Sequence, residues 1–314
     1  MTISDEWKVL RSAGEQDGLR VNLGTIFGTV VSSEPYRPVI VLGPQRSYKT
    51  AGVAIPAALE WPGAALVTSV RRDILDDTFD FRRSVGRVSI FDPARTLRGT
   101  RFEPFCASWN ILEKCRSWDG SVRTSRALTE SGRLGSSDLR EGDFWHSLAA
   151  QLLSPHLFAA ASNGCGMKDV IRWIRTQEEF EVRSLLQGTG NELAMMAIES
   201  AWQRDDRVRS SVYTTLESAL RAFDYEDTGI GEAPFIDLQG FLAAPSDTIY
   251  ICAPPDEQEE YRPLFTGLVR TVIREAYLRN NAAADLRDSR VRPTEATGSA
   301  CNLMLLLDEA GNIA

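Results

Sequence analysis

Two apolar segments that lie far apart in the sequence constrain the fold more than any other feature. The first, 37–43, leads into a turn that begins at Gly43, and the second, Leu303 to Leu307, leads into two acids, Asp308 and Glu309. A continuous apolar run of this length is typical of a parallel strand that is buried on both faces. Open α/β sheets bind ligands outside the carboxyl ends of their strands. We therefore predict that both segments are strands and that the residues after them meet at one edge of a sheet.

The turn after the first segment is similar to a phosphate-binding loop (Walker A) of the form G-x-x-x-x-G-K-[ST]. Its backbone N–H groups would face the phosphates of ATP, Lys49 would reach the β- and γ-phosphates, and the Thr50 hydroxyl would complete a Mg²⁺ site. Tyr48 replaces the glycine before the lysine, so its ring must lie away from the phosphates or crowd them. The predicted nucleotide-binding residues are Gly43, Pro44, Gln45, Arg46, Ser47, Tyr48, Lys49 and Thr50.

The two acids after the second segment fit the other half of an ATP site (Walker B). Asp308 would hold Mg²⁺ together with Thr50, and Glu309 would orient and deprotonate the attacking water. Glu309 and Lys49 are therefore the predicted catalytic residues. The alternative is an ordinary strand-to-helix turn at 43–50, with Asp308 as a helix cap. The occurrence of both motifs, each after a predicted strand, favours the ATP site.

The composition is that of a soluble globular protein. The chain has 314 residues, 43% of them apolar and 25% charged, which suggests about two domains. Five cysteines without paired spacing favour reduced thiols, and two histidines leave almost no material for a zinc site. No apolar stretch reaches the roughly 18 residues of a membrane span, and the N-terminus lacks a signal pattern. We expect a cytoplasmic chain, or the cytoplasmic part of something larger.

The net charge of −8 argues against a surface that grips DNA over its whole area. Any contact with single-stranded DNA would therefore be local. The best candidates are Arg95, Arg98 and Arg101, which follow Phe91-Asp92-Pro93. The alternative for these three residues is a solvated arginine-rich loop.

Strands alternate with helices near both ends of the chain, which predicts a parallel sheet with right-handed crossovers. Pro56 should kink the first helix. The predicted strands are 38–43, 64–70, 87–91, 248–253 and 303–307, the predicted helices are 50–59, 71–85 and 261–279, and 280–299 is a polar linker.

Between residues 105 and 232 the pattern becomes helical throughout, which predicts an all-α domain inserted into the sheet domain. Trp145, Trp173 and Trp202 lie at helical positions and are predicted to pack in its core rather than to stack on bases. The predicted domains are an N-terminal segment (1–35), a P-loop nucleotide-binding domain (36–104 with 233–314) and the inserted all-α domain (105–232). The predicted helices of the insertion are 144–161, 169–175, 179–186, 192–202 and 208–223.

The order of these motifs resembles that of the type IV secretion coupling proteins of conjugative transfer systems, with actinobacterial forms the most similar. The similarity runs from about residue 36 to the end of the chain. Its motifs are the phosphate-binding loop, Val67-Thr68-Ser69-Val70-Arg71-Arg72-Asp73, Val88-Ser89-Ile90-Phe91-Asp92-Pro93, Phe144-Trp145, Tyr261-Arg262-Pro263-Leu264 and Leu307-Asp308-Glu309-Ala310-Gly311-Asn312-Ile313-Ala314.

The resemblance implies an α/β fold, a RecA-type P-loop NTPase sheet with an inserted all-α domain. It implies homo-hexameric rings at the inner membrane that use ATP and Mg²⁺ to pump single-stranded DNA with its relaxase, or effector proteins, into a type IV secretion channel. By position, Lys49 and Thr50 would bind phosphate and Mg²⁺, Asp308 would bind Mg²⁺, and Glu309 would activate water. The inserted domain would meet relaxase or DNA.

The chain departs from this family in three respects. Tyr48 stands where the family has glycine. The N-terminal membrane helices are missing, so anchoring at the cytoplasmic face of the membrane would need parts absent from this chain. The family's sheet also continues after the Asp-Glu strand, with a strand that inserts beside the phosphate-loop strand, and the sensor residue and the arginine finger follow there. We therefore expect a fragment, a truncated gene or one part of a split protein, which alone hydrolyses ATP poorly.

Two other functions remain open from the sequence. In the first, Tyr48 has closed the pocket and the fold is a docking scaffold for a relaxase or effector. In the second, the chain is another ring translocase with the same core, although the long helical insertion argues against it.

Overall fold

The computed structural model describes residues 19–69, 72–130, 139–223, 234–252, 258–288 and 300–308. Within these residues, four parallel strands form one sheet in the order β4-β5-β3-β6, and an antiparallel hairpin, β1-β2, forms a second. The strands are β1 (Asn22–Ile26), β2 (Thr29–Ser32), β3 (Ala64–Ser69), β4 (Val88–Phe91), β5 (Thr248–Cys252) and β6 (Leu303–Leu307).

Ten α-helices lie within the described residues, and seven of them fall between β4 and β5. A π-helical turn, Thr50–Ala54, leads directly into the first. The helices are α1 (Ile55–Glu60), α2 (Asp73–Val85), α3 (Trp118–Glu130), α4 (Leu139–Asn163), α5 (Met167–Thr176), α6 (Phe180–Thr189), α7 (Glu192–Trp202), α8 (Asp206–Ala219), α9 (Leu238–Ala243) and α10 (Gln258–Asp288).

Successive side chains of each strand enter two different apolar cores, as the two-residue period of a strand requires. On β3, Ala64 and Leu66 face a core built with α4 and α10, whereas Ala65 and Val67 face a core built with α1 and α2. Both faces of the sheet are therefore covered, which explains why its strands are continuous apolar runs in the sequence.

A buried arginine stabilises the amino edge of the sheet through hydrogen bonds. Arg82 of α2 is fully buried, and its guanidinium donates to the Thr248 hydroxyl at 2.6 Å and to the carbonyl oxygens of Trp61, Gly63 and Ser246 at 2.8, 2.9 and 3.0 Å. These partners belong to the segments that enter β3 and β5. One side chain thus ties α2 to the beginnings of two strands, a role that the sequence analysis missed.

Most predicted elements are confirmed. The strands predicted at 64–70, 87–91, 248–253 and 303–307 appear within one residue of their predicted ends, and the helix predicted at 192–202 has those bounds. Trp173 and Trp202 are buried, and Trp145 packs against the same core, so all three tryptophans are core residues.

The strand predicted at 38–43 is wrong. These residues have no regular structure, and Ile40 and Leu42 are 82% and 90% exposed. A strand needs a neighbour for its backbone N–H and C=O groups. No strand of the described residues pairs with 38–43, and β6 has a partner only on its β3 side. The apolar pattern alone could not reveal that the neighbour is absent from the described sheet.

Three other expectations need correction. Helix α10 extends to Asp288, into the predicted polar linker, because Ala282 to Ala284 are good helix formers. Pro56 is the second residue of α1, which follows directly on the π-helical turn Thr50–Ala54, so the disturbance predicted there appears as a change from π- to α-helical hydrogen bonding at the start of α1. The hairpin, α3 and α9 were not predicted.

The structure also bears on membrane-spanning helices and on the cysteines. In the described part of the chain, none of the helices combines the length and the apolar character that crossing a bilayer requires. All five cysteines are free, and three of them are buried. The division into an N-terminal segment, a nucleotide-binding domain and an insertion at 105–232 stays a prediction.

Candidate nucleotide-binding site

The predicted phosphate-binding loop and the acid after β6 meet at the carboxyl edge of the sheet. The Thr50 hydroxyl donates to Asp308 Oδ2 at 3.2 Å, across 258 positions of sequence. Asp308 is placed by the sheet itself, because its backbone N–H donates to the Thr68 carbonyl oxygen at 3.2 Å, one step beyond the paired residues of β3 and β6. The structure thus brings together two of the predicted site residues. Glu309 lies outside the described residues.

Lys49 forms hydrogen bonds with the start of its own loop. Its ammonium donates to the carbonyl oxygens of Gly43 and Pro44 at 2.8 and 2.7 Å. A cation held over two backbone carbonyls at the start of the loop lies across the interior of the turn. Any phosphate that enters the loop must therefore draw the ammonium away from these carbonyls.

Gly43 allows the loop to wind tightly. A Cβ atom at this position would lie 2.8 Å from Ser47 Oγ, so the Ser47 hydroxyl would have to turn away, whereas the 3.7 Å distance to Lys49 Cδ is an ordinary van der Waals contact. The close approach to Ser47 favours glycine at the start of the turn.

Two residues of the loop hold a backbone conformation that favours glycine. Arg46 and Tyr48 have φ angles of +62° and +60°, in the left-handed region. Each costs roughly 1–2 kcal/mol relative to glycine in that conformation. The loop therefore keeps the left-handed backbone at the pre-lysine position although a tyrosine occupies it. The Tyr48 side chain is 81% exposed, so its ring lies in solvent and does not fill the loop.

Asp92 anchors the segment after β4 at the same edge. Its buried carboxylate accepts hydrogen bonds from the Thr96 hydroxyl at 2.9 Å and from the Leu97 N–H at 2.8 Å. Burial raises the pKa of this carboxyl, and the two hydrogen bonds oppose that shift. The Phe-Asp-Pro element of the sequence is thus a structural anchor. In the sequence, this anchoring role could have been predicted from an acid that is followed by proline at the end of a strand.

Of the three arginines that follow this element, Arg101 has an acidic partner. It pairs with Asp80 of α2 at 2.9 Å and lies over the ring of Phe102 at 4.7 Å. The charge of Arg101 is thus balanced within the molecule, whereas a local DNA contact by Arg95 and Arg98 stays a prediction.

The described residues offer few ligands for a cation. Within the described residues, no cluster of three or more histidine, cysteine, aspartate or glutamate side chains could hold a metal ion. The Thr50 hydroxyl and the Asp308 carboxylate are hard oxygen donors, and Mg²⁺ is commonly bound by one or two such protein ligands together with phosphates and water. The pair therefore fits Mg²⁺ better than a transition metal.

Comparisons with known proteins identify the family and the fold of the chain. The sequence model of a family described as type IV secretory system conjugative DNA transfer matches residues 8–313. Among curated proteins, no sequence gives a significant match.

Three solved structures of a bacterial conjugative coupling protein are similar in fold. The unbound monoclinic form of TrwBdeltaN70 has a TM-score of 0.53 at 15% identity, and covers 86% of this chain and 54% of that one. The plasmid coupling protein TrwB in complex with the ATP analogue ADPNP has a TM-score of 0.53 at 16% identity, with coverages of 85% and 55%. The trigonal form with sulphate has a TM-score of 0.52 at 16% identity, with coverages of 83% and 53%.

The chain thus spans about half the length of the solved structures that it matches. The likeness establishes the fold as a RecA-type P-loop sheet accompanied by an all-α domain. The family match covers nearly all of the sequence. The chain therefore belongs to the family of type IV secretory system conjugative DNA transfer proteins.

Proposed function

We propose that this chain is the ATP-driven motor subunit of a conjugative coupling protein, which links nucleotide hydrolysis to transfer of a DNA–relaxase complex or an effector protein into a type IV secretion channel. The observation that carries the proposal is the hydrogen bond between the Thr50 hydroxyl and the Asp308 carboxylate. Two residues so distant in sequence have no local reason to meet, whereas a shared cation gives them one.

Each residue has a task that follows from its chemistry. Lys49 would exchange its two carbonyl partners for phosphate oxygens, which offer it full negative charge in place of partial charge. Thr50 and Asp308 would hold Mg²⁺, which neutralises charge on the phosphates. Glu309 would orient and deprotonate the attacking water. These roles of Lys49, Thr50, Asp308 and Glu309, and the binding of ATP and Mg²⁺, are parts of the proposal.

The proposed assembly is a homo-hexameric ring at the cytoplasmic face of the membrane, with relaxase or effector, channel components and single-stranded DNA as partners. The inserted helices would meet the relaxase or the DNA. In the segment after β4, the pairing of Arg101 with Asp80 leaves Arg95 and Arg98 as the candidates for a local DNA contact.

A docking scaffold is the second candidate function, because Tyr48 departs from the phosphate-loop pattern. The exposure of the Tyr48 ring favours the motor, since a ring in solvent leaves the interior of the loop to Lys49 and a phosphate. The scaffold requires the ring to turn into the loop.

Titration of a fluorescent ATP analogue with Mg²⁺ separates the two functions. We expect the parent chain and Tyr48→Gly to bind with dissociation constants within about threefold of each other, and Lys49→Ala to lose about tenfold or more. Thr50→Val is the matched control for the cation. Its affinity should fall about tenfold in Mg²⁺ and should equal that of the parent in EDTA. Binding by Tyr48→Gly alone would overturn the motor and support the scaffold.

A further inference from the structure

Arg46 lies in the middle of the predicted phosphate-binding loop, in a backbone conformation that its surroundings do not explain. Its φ angle of +62° falls in the left-handed region, which an arginine adopts less readily than glycine does. Its side chain is exposed and makes no hydrogen bond or ion pair with another described residue. Residues held in such conformations cluster at ligand-binding sites. The contact that favours arginine here must therefore be sought with a ligand.

The sequence around Arg46 carries positive charge only. Residues 35–59 contain three cations, Arg37, Arg46 and Lys49, and no aspartate or glutamate, although acids outnumber bases by 43 to 35 in the whole chain. Arg37 pairs with Glu34 at 3.3 Å, and the Lys49 ammonium is held by two carbonyl oxygens. Arg46 differs from both, because no acid of the described residues balances its charge.

The backbone next to Arg46 has the shape of an anion site. Tyr48 has a φ of +60°, and Lys49 has φ and ψ angles of −55° and −49°, so a left-handed residue is followed by a right-handed one. Successive residues of opposite hand direct their N–H groups into one concavity, which binds anions. An anion held there would lie beside Lys49, the second residue of the pair.

Arg46 lies close enough to Lys49 for both cations to bind one phosphate group. Three steps of chain separate the two residues, so their Cα atoms are at most about 11 Å apart. The Lys49 ammonium lies 2.8 Å from the Gly43 carbonyl oxygen, which shows that the loop returns on itself around Arg46. The long arginine side chain ends in a planar fork of donors that matches two phosphate oxygens. The Arg46 guanidinium therefore has both the reach and the geometry for this contact.

We propose that Arg46 is a specificity-determining residue whose guanidinium binds the terminal phosphate of a nucleoside triphosphate. The inference rests on the proposed function, because it assigns a further contact to the same site. A triphosphate carries about one negative charge more than the diphosphate that remains after hydrolysis, so a second cation in the loop stabilises it more. Arg46 thus makes the loop prefer the nucleotide before hydrolysis over the product.

Competition of ATP and of ADP with the fluorescent analogue, each with Mg²⁺ and the whole chain, tests the proposal. Arg46→Gln should weaken ATP about tenfold and ADP about threefold at most, so the preference for ATP falls. Arg46→Lys should lie between the parent and Arg46→Gln, because it keeps the charge and loses the fork. Arg37→Gln is the matched control, since Arg37 is exposed, precedes the loop and pairs with Glu34, and it should leave both affinities unchanged.

A purely structural role of Arg46 would give a different pattern. Arg46→Gly relieves the left-handed conformation, so its melting temperature should not fall below that of the parent, while its preference for ATP should fall as in Arg46→Gln. A lower melting temperature with an unchanged preference for ATP would overturn the proposal and would show that the side chain only supports the loop.

Failure of this inference is distinguishable from failure of the proposed function. Lys49→Ala should weaken ATP and ADP alike by about tenfold or more, because Lys49 reaches the β-phosphate that both nucleotides carry. If it does so while Arg46→Gln keeps the parent's preference, or loses ATP and ADP equally, the role of Arg46 is overturned and the proposed function stands. Absence of nucleotide binding by the parent chain would overturn both.

Discussion

The two edges of the sheet are built in opposite ways. At the amino edge, the buried Arg82 guanidinium joins α2 to the starts of β3 and β5 through four hydrogen bonds of 3.0 Å or less. At the carboxyl edge, the loop before α1 is exposed, carries two left-handed residues and, among the described residues, contacts the end of β6 through the hydrogen bond from Thr50 to Asp308. The buried hydrogen bonds thus stabilise the amino edge, whereas the proposed ligand chemistry lies at the carboxyl edge, as expected where a binding loop must rearrange.

Substitution of Arg82 should have the largest effect, and it tests whether the amino edge carries the stability. Arg82→Met should lower the free energy of unfolding by about 3–5 kcal/mol, because it leaves buried carbonyl oxygens without donors. Urea denaturation measures the loss. The neighbouring Arg83 is the matched control, since it is exposed and lies over the Phe105 ring at 4.7 Å. Arg83→Met should cost less than about 1 kcal/mol. Similar losses in the two variants would contradict the pinning role.

A fall in pH should destabilise the helical core that contains His156 of α4. His156 of α4 is fully buried, donates Nδ1–H to the Leu152 carbonyl oxygen at 2.7 Å, and has no partner for Nε2 among the described residues. Burial lowers the pKa of this imidazole from 6.5 to about 4. Between those values the unfolded chain binds a proton that the folded chain does not, so stability falls as the pH falls.

The loss should be about 1.4 kcal/mol per pH unit below about pH 6.5 and about 3 kcal/mol in all by pH 4. Thermal unfolding across this range measures it. His156→Gln removes the titrating group and should flatten that part of the profile, whereas stability above pH 7 reports the cost of the substitution itself. An unchanged slope in the variant would show that other groups govern the acid response.

The smallest effect should come from the strained loop at the carboxyl edge. Tyr48→Gly removes a Cβ from a left-handed position, and the gain exceeds the entropy cost of glycine by about 0.5–1 kcal/mol. The melting temperature should rise by a few degrees or less. Tyr36→Gly is matched, because Tyr36 has a φ of +58° and is 78% exposed outside the loop. A rise in neither variant would show that the left-handed tyrosines carry no strain.

The two motifs show where sequence prediction worked and where it failed. The apolar run Leu303 to Leu307 was assigned its bounds because both of its faces are buried, so every residue in it carries the signal. The run at 37–43 is also rich in apolar residues, but it has no strand neighbour in the described sheet. Composition does not report whether a segment has such a neighbour. Arg82 was missed because the burial of an arginine leaves no mark in the sequence, where it resembles any surface arginine of a helical segment.

The sequence by itself determined four of the parallel strands and most of the helices between β4 and β5, because period and apolar runs are local properties of the chain. Only the tertiary structure decided that Thr50 and Asp308 meet, that the Tyr48 ring lies in solvent, and that Arg46 has no acidic partner among the described residues. Each of those facts depends on which distant segments pack together, and packing is a property of the whole fold.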